Sequence, residues 1–416
     1  MKVLAIRLSV ICLSLATTLA AAAEQDLTGD GGVSAFYRWN GVPPDGPGRM
    51  LRRERLEAKF SIAGAGTAER VLYSSTRDDD ATAPITVSGA VFLPPGKPPA
   101  GGWPIVSWAH GTTGIADICA PSQLERSPRD KDYLAAWLKQ GFAVVATDYR
   151  GLGTPGVHPY LLYSPEGKDV LDIARAALAA YKGTLRDEVL TIGQSQGSGA
   201  ALGAALLAPS YAPDLHILGT VATGIVAEAA DPGGAEQVPV AEEDVETDYA
   251  DSAYAMLHLL GTDQALSPGL APAEIVTAAG KKLMATALHH CMHDMVTEAM
   301  REHLSVSQAL NDRRKPLDAL EAKRGAFAST AISTPVFVGT GLADEAADPR
   351  IQYNFVSALC EAGTKVEFHA YPGLDHGATV NASLADSMPF VARLQRGEPA
   401  SSSCAGLHPP AFPPLP

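Results

Sequence analysis

The chain has 416 residues, 46% of them hydrophobic, and a formal net charge of −14. That length and apolar content fit one large domain with an insertion, or two domains, and exclude a disordered chain. The acidic balance, with no basic stripe, argues against nucleic acid or an anionic membrane as partner.

Residues 1–23 read as a cleavable signal peptide. Lys2 and Arg7 give a positive start, Leu8 to Leu19 an apolar centre, and Ala21-Ala22-Ala23 a small-residue cleavage site before Glu24. The apolar centre is too short to span a bilayer. Cys12 sits inside it without a small residue before it, so no lipid anchor is expected. Cleavage would remove two positive charges and take the net charge from −14 to −16. The expected product is a soluble, secreted or periplasmic protein without a stable membrane anchor. It keeps Cys119, Cys291, Cys360 and Cys404. Four cysteines in an exported chain point to two disulfides, with three possible pairings.

Residues 24–68 read as irregular, broken by Pro43-Pro44 and Gly46-Pro47-Gly48. Arg70 to Ser75 and Ile85 to Leu93 read as strands that begin a sheet in antiparallel fashion. Strands and helices then alternate. Pro104 to Ala109 is a strand, Asp132 to Gln140 a helix stopped by Gly141, and Phe142 to Thr147 a strand. Asp169 to Tyr181 is a helix with Val170, Ile173, Ala174, Ala177 and Leu178 on one face. Val189 to Ile192 is a strand, Ser198 to Leu207 a helix and Ile217 to Ala222 a strand. Such alternation predicts an α/β fold: a mostly parallel sheet with helices on both faces.

From about 225 to 331 the rhythm breaks into acidic and Pro/Gly-rich turns and helical stretches at Ala253 to Leu260, Ala273 to His289 and Val306 to Leu310. This predicts a mainly helical insertion between a first core segment, 24–224, and a second, 332–397. The second segment resumes with a strand at Pro335 to Thr340. A helix at Arg350 to Ala362, a strand at Lys365 to Tyr371 and a helix at Leu384 to Leu394 follow. Residues 398–416 form a Ser- and Pro-rich tail.

Gly193-Gln194-Ser195-Gln196-Gly197 lies between the strand at 189–192 and the helix at 198–207. Strand, sharp turn and helix are the setting of a nucleophile elbow, with Ser195 exposed at the mouth of the sheet. A serine hydroxyl needs a base, and that base a carboxylate to orient it. In this kind of sheet the order along the chain is serine, acid, histidine. Asp344 follows the strand ending at Thr340, with Glu345 and Asp348 as rivals on the same loop. Asp348-Pro349 reads rather as a helix cap. His376 follows the strand ending at Tyr371. Its neighbour Asp375 is a poor orienter, because adjacent side chains point apart. Oxyanion donors are expected from the Gln196 N–H and from Thr112, with Thr113 or Gly111 as substitutes, in His110-Gly111-Thr112-Thr113-Gly114. His110 itself reads as a packed loop residue. His289, His290, Cys291 and His293 invite a metal reading, because His289 and His293 would share a helix face. No glutamate follows the first histidine, and a polar helix with Cys291 in a disulfide is the preferred reading. No cofactor or metal is expected.

These motifs, together with the run Thr147-Asp148-Tyr149-Arg150-Gly151-Leu152-Gly153-Thr154-Pro155-Gly156, resemble the secretory lipase family of α/β-hydrolases. The matching pieces span about 110 to 377. The resemblance implies a triad of Ser195, Asp344 and His376, a helical cap formed by the insertion, and disulfides Cys119–Cys291 and Cys360–Cys404. It also implies hydrolysis of carboxylic esters, triacylglycerols among them, so the expected partner is a small-molecule or lipid ester. An acyltransferase or a prolyl-oligopeptidase-type peptidase would use the same triad. A non-catalytic binding protein on the same scaffold is the rival of a different class.

Overall fold

The computed structural model describes residues 31–42, 44–77, 84–227, 238–240, 248–266, 275–311, 327 and 331–414. The expected signal peptide lies outside them. Nine strands are described: β1 (Met50–Arg55), β2 (Thr67–Thr76), β3 (Pro84–Leu93), β4 (Trp103–Ala109), β5 (Ala143–Thr147), β6 (Leu185–Gln194), β7 (Ile217–Thr223), β8 (Val336–Gly341) and β9 (Val366–Tyr371). They form one sheet in the order β1-β2-β3-β5-β4-β6-β7-β8-β9. The pairs β1–β2, β2–β3 and β3–β5 are antiparallel. Every pair from β5–β4 to β8–β9 is parallel. After β4 the chain adds β5 on one side and β6 on the other, which opens a crevice beyond the strand ends there.

The central strands are Val-, Ile- and Ala-rich because both their faces are covered. On one face lie α1 (Pro128–Lys139) and α10 (Leu384–Gln395). Trp137 and Phe390 from these two helices pack in one core with Trp108 and Phe337 of the sheet. On the other face lie α2 (Tyr163–Ala180), α3 (Gln196–Tyr211) and α8 (Pro349–Glu361). Asp348 caps α8 by accepting the Arg350 N–H at 2.7 Å, the role its Asp-Pro pair suggested. The short helix α9 (Ala378–Ala382) precedes α10.

Between β7 and β8 stand α4 (Tyr249–Leu266), α5 (Ala278–Ala287), α6 (Met292–Arg301) and α7 (Val306–Ala309). They share an apolar cluster, including Met256, Leu260, Leu283, Met295 and Val306, that also takes in Ile115 and Tyr160 of the core.

Three expectations need correction. The stretch expected to be irregular contains β1, whose Arg53, Glu54 and Arg55 are exposed on a sheet edge. Charge of this kind hides a strand from hydropathy while protecting its edge. Helix α2 starts at Tyr163, six residues before Asp169. The helix expected to run to His289 ends at Ala287, and α6 begins only at Met292, with Cys291 as its N-cap. His289 and His293 therefore do not share a helix face. The cysteines are joined as Cys119–Cys291 and Cys360–Cys404.

Candidate active site

Ser195 sits between β6 and α3 at φ +56° and ψ −127°, a conformation L-residues rarely adopt. Backbone crowding explains the two glycines beside it. A Cβ on Gly193 would stand 1.8 Å from the Gly197 carbonyl oxygen, and one on Gly197 would stand 2.0 Å from that of Ala109. The Ser195 N–H donates to Thr223 O at 3.0 Å, which ties the turn to the end of β7. Gln196 opens α3, so its N–H is one of the first-turn donors without a helical acceptor, at the positive end of the helix dipole.

Asp344 follows β8 and His376 follows β9. The His376 Nδ1 donates to Asp344 Oδ2 at 2.8 Å. Asp344 is buried, and its Oδ1 accepts the N–H groups of Ala346 (3.0 Å) and Ala347 (2.8 Å). Its Oδ2 also accepts from Gln352 Nε2 at 3.0 Å. Four donors thus fix the carboxylate in one orientation. Glu345 is exposed, and Asp375 is occupied as an acceptor for the Ala378 N–H at 2.7 Å.

Two further residues set this geometry and carry no signal in the sequence. Gln352, fully buried on α8, receives the Ile225 N–H (3.1 Å) and the Thr340 hydroxyl (3.0 Å) on Oε1. It donates from Nε2 to Asp344 and to Ala347 O (2.7 Å). Gly224, at φ +56°, lies behind the imidazole: a Cβ there would be 2.7 Å from His376 Cε1.

Ser195, His376, Gly111, Thr112 and Thr113 line one cavity of about 370 Å³, to which Tyr254, Cys291, Met292 and His293 of the insertion also contribute. Glu125, Arg129 and Asp130 give the wall beside α1 a charged rim. The loop after β4 is held from several directions. The Thr112 hydroxyl bonds the Tyr160 hydroxyl at 2.8 Å, and Thr113 O accepts the Met292 N–H at 2.8 Å. His110 is buried with Nδ1 2.7 Å from Gly111 O, and burial pushes its pKa down.

The run 148–156 supports this loop. Asp148 is buried and accepts the Ser122 N–H at 2.9 Å and the Ser88 hydroxyl at 2.8 Å; burial pushes its pKa up. Arg150 grips buried Asp169 through Nε (3.0 Å) and Nη2 (2.8 Å). The Tyr149 hydroxyl donates to His110 O at 3.0 Å. Among the described residues, no group of three or more His, Cys, Asp or Glu could hold a metal ion.

A strained serine at a helix start and a histidine bonded to a buried carboxylate, lining one cavity, are parts that acyl transfer through a covalent intermediate requires. Residues 126–402 match the family model described as secretory lipase. Lipase A of Moesziomyces aphidis is 24% identical over 391 residues, covering 86% of this chain and 78% of that protein. Among solved structures, Candida antarctica lipase A superposes with a TM-score of 0.71 at 20% identity, covering 91% of this chain and 89% of the other. The rice cell wall degrading esterase LipA from Xanthomonas oryzae gives 0.63 at 16% identity, with 84% and 98% covered. These structures share the α/β-hydrolase fold with it. The chain belongs to the secretory lipase family and is a carboxylic ester hydrolase.

Proposed function

We propose that the protein is an exported serine esterase or lipase in which Ser195, His376 and Asp344 form the catalytic triad. Ser195 Oγ attacks the ester carbonyl carbon, and His376 Nε2 takes its proton. The tetrahedral oxyanion is held by the Gln196 N–H and by Thr112. Collapse expels the alcohol, which receives the proton from His376, and leaves an acyl-enzyme on Ser195. Water then gives its proton to His376 and attacks the acyl carbon; collapse breaks the bond to Ser195 Oγ, which takes that proton back from His376, and releases the acid. Asp344 keeps the Nδ1 proton in place and stabilises the imidazolium formed in each half.

The observation that carries this reading is the 2.8 Å bond from His376 Nδ1 to the fully engaged Asp344 carboxylate, on the cavity that Ser195 also lines. It leaves Nε2 as the nitrogen available for proton transfer. Residues 1–23 serve as the export signal, and residues 225–331 as a helical cap over the site. Two disulfides support export, because such bonds persist in oxidising compartments. The lipase name of the Moesziomyces relative supports acylglycerols as substrates, beside simple carboxylic esters.

Ser195→Ala tests the assignment. On p-nitrophenyl butyrate it should lower kcat by about 10⁴-fold or more while the folded protein is retained. Wild-type turnover in that variant would remove Ser195 from the mechanism. In the wild type, cleavage of a proline amide without cleavage of any ester would make it a peptidase instead.

A further inference from the structure

We propose that His158, Tyr160 and Glu166 are positioning residues that hold the two halves of the oxyanion hole at a fixed separation. The inference rests on the assignment of the Gln196 N–H and Thr112 as its donors. These donors belong to different elements, α3 and the loop after β4. An oxyanion hole works only when both point at the place where charge develops, within about 0.5 Å. The segment 158–161, just before α2, touches both.

On the α3 side, the Gln196 side chain is buried. Its Nε2 lies 2.6 Å from Glu166 Oε1 and 2.7 Å from His158 Nε2. His158 Nδ1 is 3.1 Å from Arg150 O, a carbonyl that can only accept. The proton therefore sits on Nδ1, and the Nε2 lone pair faces Gln196. Complete burial pushes the His158 pKa down to about 3, so the ring stays a neutral acceptor over the working range. The amide can adopt one orientation only, because its reversal would set Oε1 against the Glu166 carboxylate and the imidazole lone pair. Glu166 Oε1 also takes the Leu161 N–H at 3.1 Å, with Leu161 held at φ +62°. A non-glycine residue kept in the left-handed region marks a segment whose surroundings over-determine it.

On the loop side, the Tyr160 hydroxyl meets Thr112 Oγ1 at 2.8 Å. Tyr149 stacks on His158 with centroids 5.6 Å apart, and its hydroxyl reaches His110 O, next to Gly111. The insertion seats on the same segment: a Cβ on Gly261 of α4 would come within 2.7 Å of Tyr160 N and 2.8 Å of His158 O. One short stretch thus links the helix start, the oxyanion loop and the insertion. A set of unrelated packing contacts would not connect both donors through it.

The test uses the full-length protein, p-nitrophenyl butyrate turnover and inhibition by butylboronic acid, which adds to the serine as a tetrahedral anion. Tyr160→Phe should lower kcat about tenfold with KM changed less than about twofold, and should weaken the boronate in parallel. Thr112→Val should do the same, and the double variant should be no worse than the weaker single one. Glu166→Ala should cost about as much, with Glu166→Gln restoring most of the loss because its carbonyl can still accept both bonds. If Glu166→Ala does not fold, the Tyr160→Phe and Thr112→Val pair carries the test. Multiplying losses in the double variant, or unchanged kcat in Tyr160→Phe while Ser195→Ala is inactive, would overturn the brace and leave the triad standing. Activity in Ser195→Ala would overturn both.

Discussion

On one wall of the cavity Ser195 is fixed by backbone packed on backbone, with Gly193, Gly197 and Ala109 in van der Waals contact. On the opposite wall Met292 and His293 follow the Cys119–Cys291 cross-link, and Met292 is held by a hydrogen bond to Thr113 O and by an apolar cluster that joins the insertion to Ile115 and Tyr160. The first wall has no room for adjustment, since closely packed backbone has no alternative rotamer. The second depends on side-chain packing and a covalent tether, which tolerate substitution of similar volume. On the proposed mechanism the reacting groups follow strand ends of the sheet, while the insertion supplies Tyr254, Met292 and His293 to the pocket wall.

That contrast can be broken most sharply at Gly197. Gly197→Ala places a Cβ 2.0 Å from Ala109 O, so the turn must move. The expected result is loss of soluble folded protein, or a fall in kcat of about 10³-fold where folded protein is recovered. A normal thermal midpoint with normal turnover would show the elbow to be looser than described. Gly224→Ala comes next. Its Cβ would push the His376 ring, and its φ of +56° adds strain of about 1 kcal/mol. Folding should survive while kcat falls about 100-fold at nearly constant KM; steady-state kinetics on a short-chain ester decide it. The smallest effect on chemistry is expected on the insertion wall. Cys291→Ser releases a cross-link spanning 172 residues and should cost about 2–4 kcal/mol of stability. Calorimetry with and without reductant should show a lower midpoint that reductant no longer shifts through this bond, with turnover of a small ester at 25 °C reduced less than about tenfold. A loss as large as that at Gly224 would mean that the two walls are not separable.

The sequence makes the first wall legible because sterics there dictate residue type, glycine where no Cβ fits, and because serine, acid and histidine follow the ends of β6, β8 and β9. Position alone singles out Asp344 and His376, and the structure brings them within 2.8 Å of each other. Gln352 escaped because a single glutamine in an amphipathic helix looks like a solvated residue until its four bonds are seen. Gly224 escaped because it follows a strand, where any turn glycine would pass without comment. Strand β1 was hidden by its charges. The insertion was harder to read for a different reason. Its helices bury their apolar faces on each other and on Ile115 and Tyr160, and the break between Ala287 and Met292 falls at the tethered Cys291, with no Gly or Pro to mark it.

The central claim, that Ser195 is the nucleophile activated by His376, is tested most directly by labelling with a fluorophosphonate and mapping the adduct by peptide mass spectrometry. One adduct per chain is predicted, on the peptide containing Ser195, with labelling slowed at least about 100-fold in His376→Ala. An adduct on any other residue, or undiminished labelling without His376, would contradict it.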